Sequence, residues 1–327
     1  MLGNSYTSGP TLDDLMRDVI EAILSHGHPT NPSQGPCKEL SGVLLELSNP
    51  RSRISRTETR GKPFSSLGEL CWYLAHSNEL EFIRYYIRQY EDSADGEFVT
   101  GGYGPRLFNW KELNQLQNVI DTLRLKRDSR QAVVQLFDAT DLAKSHKSVP
   151  CTCTLQFMLR DGRLHMVTNM RSNDAYVGLP HDIFCFTMFQ EIVARTLSVE
   201  VGVYKHAVGS LHLYDRNNER AYQFLNEGVQ STTSPMPAMP QGDPWSSIQV
   251  LLNAEATIRT NQPFDSELVN VIDPYWADLV RLLQVYRFSK DNQCDRIAEV
   301  RGNMASSTYD VFIDQRLNDC RKRITGS

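Results

Sequence analysis

The chain lacks any stretch near the roughly 18 consecutive apolar residues of a membrane-spanning helix, so no membrane partner is expected. It also lacks an excess of positive charge. Its 34 Lys and Arg stand against 39 Asp and Glu, a formal net charge of −5. That leaves no electrostatic footprint for a nucleic-acid polymer, although a mononucleotide needs only a local cluster of arginines. The seven cysteines follow no regular spacing and no signal-peptide pattern precedes them, which predicts free thiols in a reducing cytoplasm. Two catalytic signatures are missing as well. No Gly-x-Ser-x-Gly elbow is present for serine hydrolysis. No His-x-Glu accompanies the Pro-Cys pair, as a zinc nucleobase deaminase requires, and no metal is expected.

What remains is an ordinary globular composition, with 40% hydrophobic and 22% charged residues over 327 positions, enough for a full core. Its most informative part is 150–182. Cys153, Leu155, Phe157 and Leu159 alternate on one strand face, and Leu164, Met166, Thr168 and Met170 alternate on a second. Asp161-Gly162 between them supplies the positive φ of a hairpin turn. Antiparallel pairing returns Arg171 towards Cys151, and a guanidinium beside a thiol favours the nucleophilic thiolate.

Pro150-Cys151, Arg171-Ser172-Asn173-Asp174 and Gly178-Leu179-Pro180-His181-Asp182 together resemble the thymidylate synthase superfamily. Further matches are Glu69-Leu70-Cys71-Trp72-Tyr73-Leu74, Tyr103-Gly104 with Trp110 nearby, and His206-x-x-Gly209-x-x-His212-x-Tyr214. The resemblance covers about 36–220. It implies an α+β fold with a mixed, largely antiparallel sheet packed on helices, and a homodimer formed sheet to sheet.

It also implies roles. Cys151 would be the nucleophile, helped by Glu69, Arg171 and Tyr103. Arg171, Ser172, His212 and Tyr214 would bind the nucleotide, with Arg130 reaching the partner's phosphate. Asp174 and Trp72 would meet the folate, 5,10-methylenetetrahydrofolate. Two departures stand out. Gln131 follows Arg130 where the synthases carry a second arginine, and Asp182 replaces the family's asparagine, which reads uracil. Aspartate there marks the branch that hydroxymethylates cytosine nucleotides. The expected function is therefore folate-dependent 5-hydroxymethylation of CMP or dCMP. Methylation of a pyrimidine nucleotide and a non-catalytic nucleotide-binding relative are the alternatives.

Around this core, 1–35 reads as a helical lead, 36–225 as the catalytic core and 226–327 as a helical extension or cover. Residues 40–47, 132–137 and 205–214 read as strands; 67–90, 113–125 and 183–197 read as helices. Lys38, Arg51 and Arg53 are candidates for the phosphate. If Glu69 is buried among its apolar neighbours, desolvation should raise its pKa and suit it to pass protons.

Overall fold

A computed structural model describes residues 5–264, 269 and 271–325. Among these, one seven-stranded mixed sheet carries the chain. Its order is β1 (Tyr6–Gly9), β3 (Cys37–Leu47), β7 (Glu200–Tyr214), β6 (Arg163–Asp174), β5 (Thr152–Arg160) and β4 (Val133–Gln135), with β2 (His28–Thr30) also on β3. Most neighbours run antiparallel; β1 with β3 and β6 with β7 are parallel. This is the expected α+β architecture.

The β5–β6 hairpin forms because Asp161 and Gly162 both take positive φ, at 49° and 71°. Parallel β6 and β7 need a crossover, which α6 (Gly178–Thr196) supplies. Its Ile183, Phe184, Phe186, Met188, Phe189, Ile192 and Val193 are all buried, as a helix apolar nearly all round requires. Helix α1 (Leu12–His26) comes from the N-terminal lead, whose strands β1 and β2 join the sheet. The opposite face of the sheet keeps Gln156, Met158, Val167 and Ala207 only partly buried.

Three expectations change. The helix read over 67–90 is α2 (Pro63–Leu74), a separate α3 (Leu80–Arg84) and a 3₁₀ turn (Arg88–Ser93). The break comes at His76, whose φ of 57° cannot continue a helix. The 132–137 strand shrinks to three residues. Cys294 and Cys320 form a disulfide joining α10 (Cys294–Gly302) to α11 (Asp310–Thr325), against the expectation of free thiols throughout. Spacing 26 residues apart carries no signal for this; the folded helix pair supplies it.

Candidate active site

The ends of β6 and β7, the start of β5, α2 and the first turn of α6 converge on Cys151. Hairpin register does the first part: the Arg171 N–H donates to the Cys151 carbonyl at 2.8 Å. The Arg171 side chain then folds back over the residues before Cys151. Its Nε donates to Pro150 O at 2.9 Å, and Nη2 donates to Val149 O at 3.1 Å and lies 3.7 Å from Cys151 Sγ. Burial raises the thiol pKa, Arg171 opposes it, and Asp182 and Cys153 add to the rise; the net direction is up. The guanidinium acts as the sequence predicts, and desolvation outweighs it. Cys153 falls at a register shift between Thr152 and Thr154, which disturbs the strand beside Cys151.

Tyr103 reaches the next residue. Its hydroxyl accepts from Thr152 N–H at 3.2 Å and from Thr152 Oγ1 at 2.9 Å.

Glu69 is 4% exposed in α2. Its Oε1 accepts from Tyr73 OH at 2.9 Å, one helical turn on, and from Tyr90 OH. The His181 Nδ1 stands 3.2 Å from Oε2, an ion-pairing distance. Burial pushes this carboxyl up, but His181, Tyr90 and Tyr73 together outweigh it and the net shift is down. This corrects the sequence expectation. Burial is real; three polar neighbours keep Glu69 a carboxylate.

Asp182 is the fifth residue of α6, just past its first turn. Gly178 lets the chain close here, since a Cβ would stand 2.9 Å from Asn173 Nδ2. That amide donates to Asp182 Oδ2 at 2.8 Å, while Asn173 Oδ1 meets His206 Nε2 at 2.9 Å. His206 Nδ1 meets Tyr204 OH at 2.7 Å, and Tyr204 OH meets Thr168 Oγ1 at 3.1 Å. Tyr204 OH is the donor to Thr168, and the Asn173 amide, donating through Nδ2, makes Oδ2 an acceptor. The residue keeps a partly exposed edge, yet its carboxyl group is enclosed. Desolvation first, and then the Glu69 charge, raise its pKa well above the usual carboxylate range, against the pull of Asn173.

His212 and Tyr214 leave β7 on one face, their rings edge to face at 4.8 Å. Ser172 Oγ is 3.5 Å from His212 Nδ1. Asp174 Oδ1 accepts from the N–H groups of Tyr176 and Val177 at 2.8 and 2.9 Å, so those bonds fix the carboxylate through one oxygen.

Other expected residues lie elsewhere. Trp72 is fully buried against Tyr73 and Tyr90, so it walls the site from behind and has no face for a folate. Arg53 is fully buried and paired with Glu191 at 2.5 Å, which removes it from the phosphate candidates. Lys38 Nζ donates to Leu24 O at 2.9 Å. Arg130 is exposed beside the edge strand β4. Tyr73, Tyr90, Asn173 and His181 were not singled out by sequence. The i+4 spacing from Glu69 could have found Tyr73; Tyr90 arrives only through the fold. A hollow of about 600 Å³ beside α11, lined by Arg56, Asp310, Asp314 and Lys322, shares none of these residues.

Residues 16–249 match the family described as thymidylate synthase. The chain is 31% identical over 225 residues to the deoxyuridylate hydroxymethyltransferase of Bacillus phage SP01, covering 64% of this chain and 59% of that protein. It is 34% identical over 167 residues to the deoxyuridylate hydroxymethyltransferase of Pseudomonas phage M6, covering 48% of this chain and 46% of that one. The matched stretch thus spans about half the length of these curated relatives. With the family matched across most of its length and the motif residues gathered around Cys151, the chain belongs to the thymidylate synthase family.

Proposed function

We propose that the protein transfers a one-carbon unit to carbon 5 of a cytosine mononucleotide and completes it with water, giving the 5-hydroxymethyl product. The observation that carries the base choice is Asp182, with Oδ2 made an acceptor by Asn173 and a carboxyl that burial favours in its protonated form. A neutral acid complements cytosine: the O–H donates to ring nitrogen 3 and the carbonyl oxygen accepts from the amino group. It also offers nitrogen 3 a transferable proton as charge develops there, which an amide does not.

The Cys151 thiolate adds to carbon 6, and carbon 5 becomes nucleophilic. Arg171 supports the thiolate and, with Ser172, faces the phosphate; His212 and Tyr214 hydrogen-bond the sugar. The folate donor fits the acceptor chemistry of Asp174, whose Oδ1 is committed to backbone while Oδ2 is left for the pterin N–H groups. When bound, 5,10-methylenetetrahydrofolate supplies the one-carbon unit. Carbon 5 gives up its proton as tetrahydrofolate departs; Glu69 then orders the water that adds to the exocyclic carbon, the water proton passes to solvent, and loss of the thiolate frees the product. A homodimer sheet to sheet is supported by the partly exposed sheet face, and would bring in Arg130 from the partner.

The names of the two relatives favour a second reading, the same chemistry on a uracil deoxynucleotide. One assay separates them: purified protein with methylenetetrahydrofolate and each of CMP, dCMP, UMP and dUMP, with products read by mass. A hydroxymethylated cytosine product supports the proposal. Products from uracil nucleotides alone move it to the second reading, and dihydrofolate formation would mean methylation.

A further inference from the structure

We propose that the Cys294–Cys320 disulfide is a redox switch: closed, it holds α11 against the chain leading into the active-site helix α2, and its reduction by a dithiol slows turnover. The turnover it governs rests on the function proposed above; the clamp itself rests on contacts outside that site. The first observation is how little else holds the far half of α11. Of its residues, Phe312, Ile313 and Cys320 are buried, and past Ile313 Cys320 stands alone in this. A hollow of about 600 Å³ opens along one side of the helix, between Val311, Asn318 and Lys322 and the backbone at Arg56 and Glu58. Arg301 of α10 pairs with Asp310 at 3.0 Å and Asp314 at 2.9 Å, but these groups are partly exposed and such pairs are worth little. Beyond them, Arg323 Nη2 donates to Ser289 O at 2.9 Å. The disulfide, joining residues 26 apart, is the covalent tie among these weak ones.

The second observation is what α11 touches. Phe312 lies against Gly61, where an added Cβ would stand 2.8 Å from its ring. The Arg56 guanidinium is 5.9 Å from the same ring's centroid and donates to Thr308 O at 3.4 Å. Arg316 lies 5.1 Å from the ring centroid of Phe64, the second residue of α2, which carries Glu69. Between these contacts, Arg60 Nη2 donates to Val177 O at 3.3 Å, and its guanidinium sits 4.8 Å over the Tyr176 ring. Tyr176 and Val177 supply the N–H groups that fix Asp174. Segment 56–64 thus joins α11 to Glu69 on one side and to Asp174 on the other.

The third observation is access. Cys320 is fully buried, whereas Cys294, at the start of α10, is partly exposed. A dithiol's thiolate therefore bonds to Cys294 Sγ as the disulfide breaks and Cys320 leaves as thiolate. The second thiol of the dithiol then displaces Cys294, and the dithiol departs as its own cyclic disulfide. Two electrons and two protons pass from the dithiol to the pair, which ends as two thiols. The other five cysteines are already free, so this is the one bond a dithiol can open among the described residues.

The test compares full-length wild type in non-reducing buffer, wild type reduced with dithiothreitol, and Cys294→Ser/Cys320→Ser. Peptide mass confirms that Cys151 is a free thiol in each. On reduction, amide exchange over 310–325 should quicken by roughly 30-fold or more, the low end for a lost disulfide. Exchange over 56–64 should quicken with it. Hydroxymethyl product formation should fall on reduction and return on reoxidation. The double variant should start at the reduced rate and ignore dithiothreitol. Unchanged exchange over 56–64, or unchanged product formation, overturns the switch. A double variant that still responds to dithiothreitol overturns it too, by moving the effect to another cysteine. If wild type turns over none of the four nucleotides, the parent proposal has failed instead, and exchange over 56–64 still decides the clamp.

Discussion

Arg171 Nη2 lies 3.7 Å from Cys151 Sγ while two carbonyls just upstream of the nucleophile, those of Val149 and Pro150, hold the same guanidinium. The charge is therefore fixed in place beside a thiol that burial makes harder to ionise. Arg171→Gln should raise the thiol pKa further, because it removes the one neighbour that lowers it. Alkylation by iodoacetamide, followed against pH and located by peptide mass, should shift to higher pH at Cys151. An unshifted profile would mean that Arg171 serves the phosphate alone.

Cys151→Ser should abolish turnover and leave nucleotide binding largely intact, since phosphate and base contacts come from other residues. Cys153→Ser should keep most activity, because Cys153 sits in the strand irregularity without a partner at the site. Equal loss in both single variants would point to a paired-thiol site.

Glu69→Gln should lower hydroxymethyl product formation by about 10²–10⁴-fold. The amide loses the charge that faces His181 Nδ1 at 3.2 Å, and its NH₂ cannot replace an oxygen facing Tyr73 and Tyr90 without losing an acceptor. Single-turnover kinetics with the cytosine nucleotide would show this. Wild-type rates would leave Glu69 a structural carboxylate in the middle of a buried helix.

The hairpin was legible because two period-2 runs flank Asp161-Gly162, and the turn chemistry fixes the register that joins Cys151 to Arg171. Helix α6 was legible from its apolar girth. Arg53 was misread because its burial depends on Glu191, 138 residues away, and a charge in a loop reads as solvated unless its partner is known. The ionisation of Glu69 was misread for the same reason: its apolar neighbours are local, whereas Tyr90 and His181 arrive through the fold. Local pattern reports elements and turns; pKa directions depend on partners that the sheet and crossover bring together.

His206 is fully buried and its pKa is pushed down to about 3 from 6.5 by desolvation. The unfolded chain therefore binds a proton between these values that the folded chain does not, so stability is full above pH 6.5 and falls as pH drops towards 3. The slope is at most about 1.4 kcal/mol per pH unit, or about 2 kcal/mol between pH 6.5 and 5. Urea unfolding of wild type and His206→Gln at pH 7 and pH 5 measures it. The variant, lacking the imidazole, should lose less stability on acidification; equal losses would mean that His206 is protonated in the fold.

Asp182 gives the sharpest expectation about substrate. Its Oδ2 is tied to Asn173 Nδ2, and Asn173 is in turn anchored by His206, so the carboxyl is held at the end of a buried chain. Cytosine offers an amino donor at position 4 and an unprotonated acceptor at nitrogen 3; uracil offers the reverse pair. With Oδ2 accepting from Asn173, the acid carries its one proton on Oδ1 and can release it to nitrogen 3, but once ionised it opposes the position-4 oxygen of uracil. Opposed buried acceptors cost roughly 1–3 kcal/mol, about 10–100-fold in specificity. Asp182→Asn should therefore lower kcat/KM for the cytosine nucleotide and raise it for the uracil nucleotide, measured at a fixed sugar in both proteins. Because the acid form supplies the donor to nitrogen 3, wild-type kcat/KM for cytosine should also decline as rising pH removes the Asp182 proton, a limb that Asp182→Asn should lack. A wild type that prefers the uracil nucleotide, or a ratio that the substitution leaves in place, would show that Asp182 does not choose the base and would hand the substrate to the uracil reading.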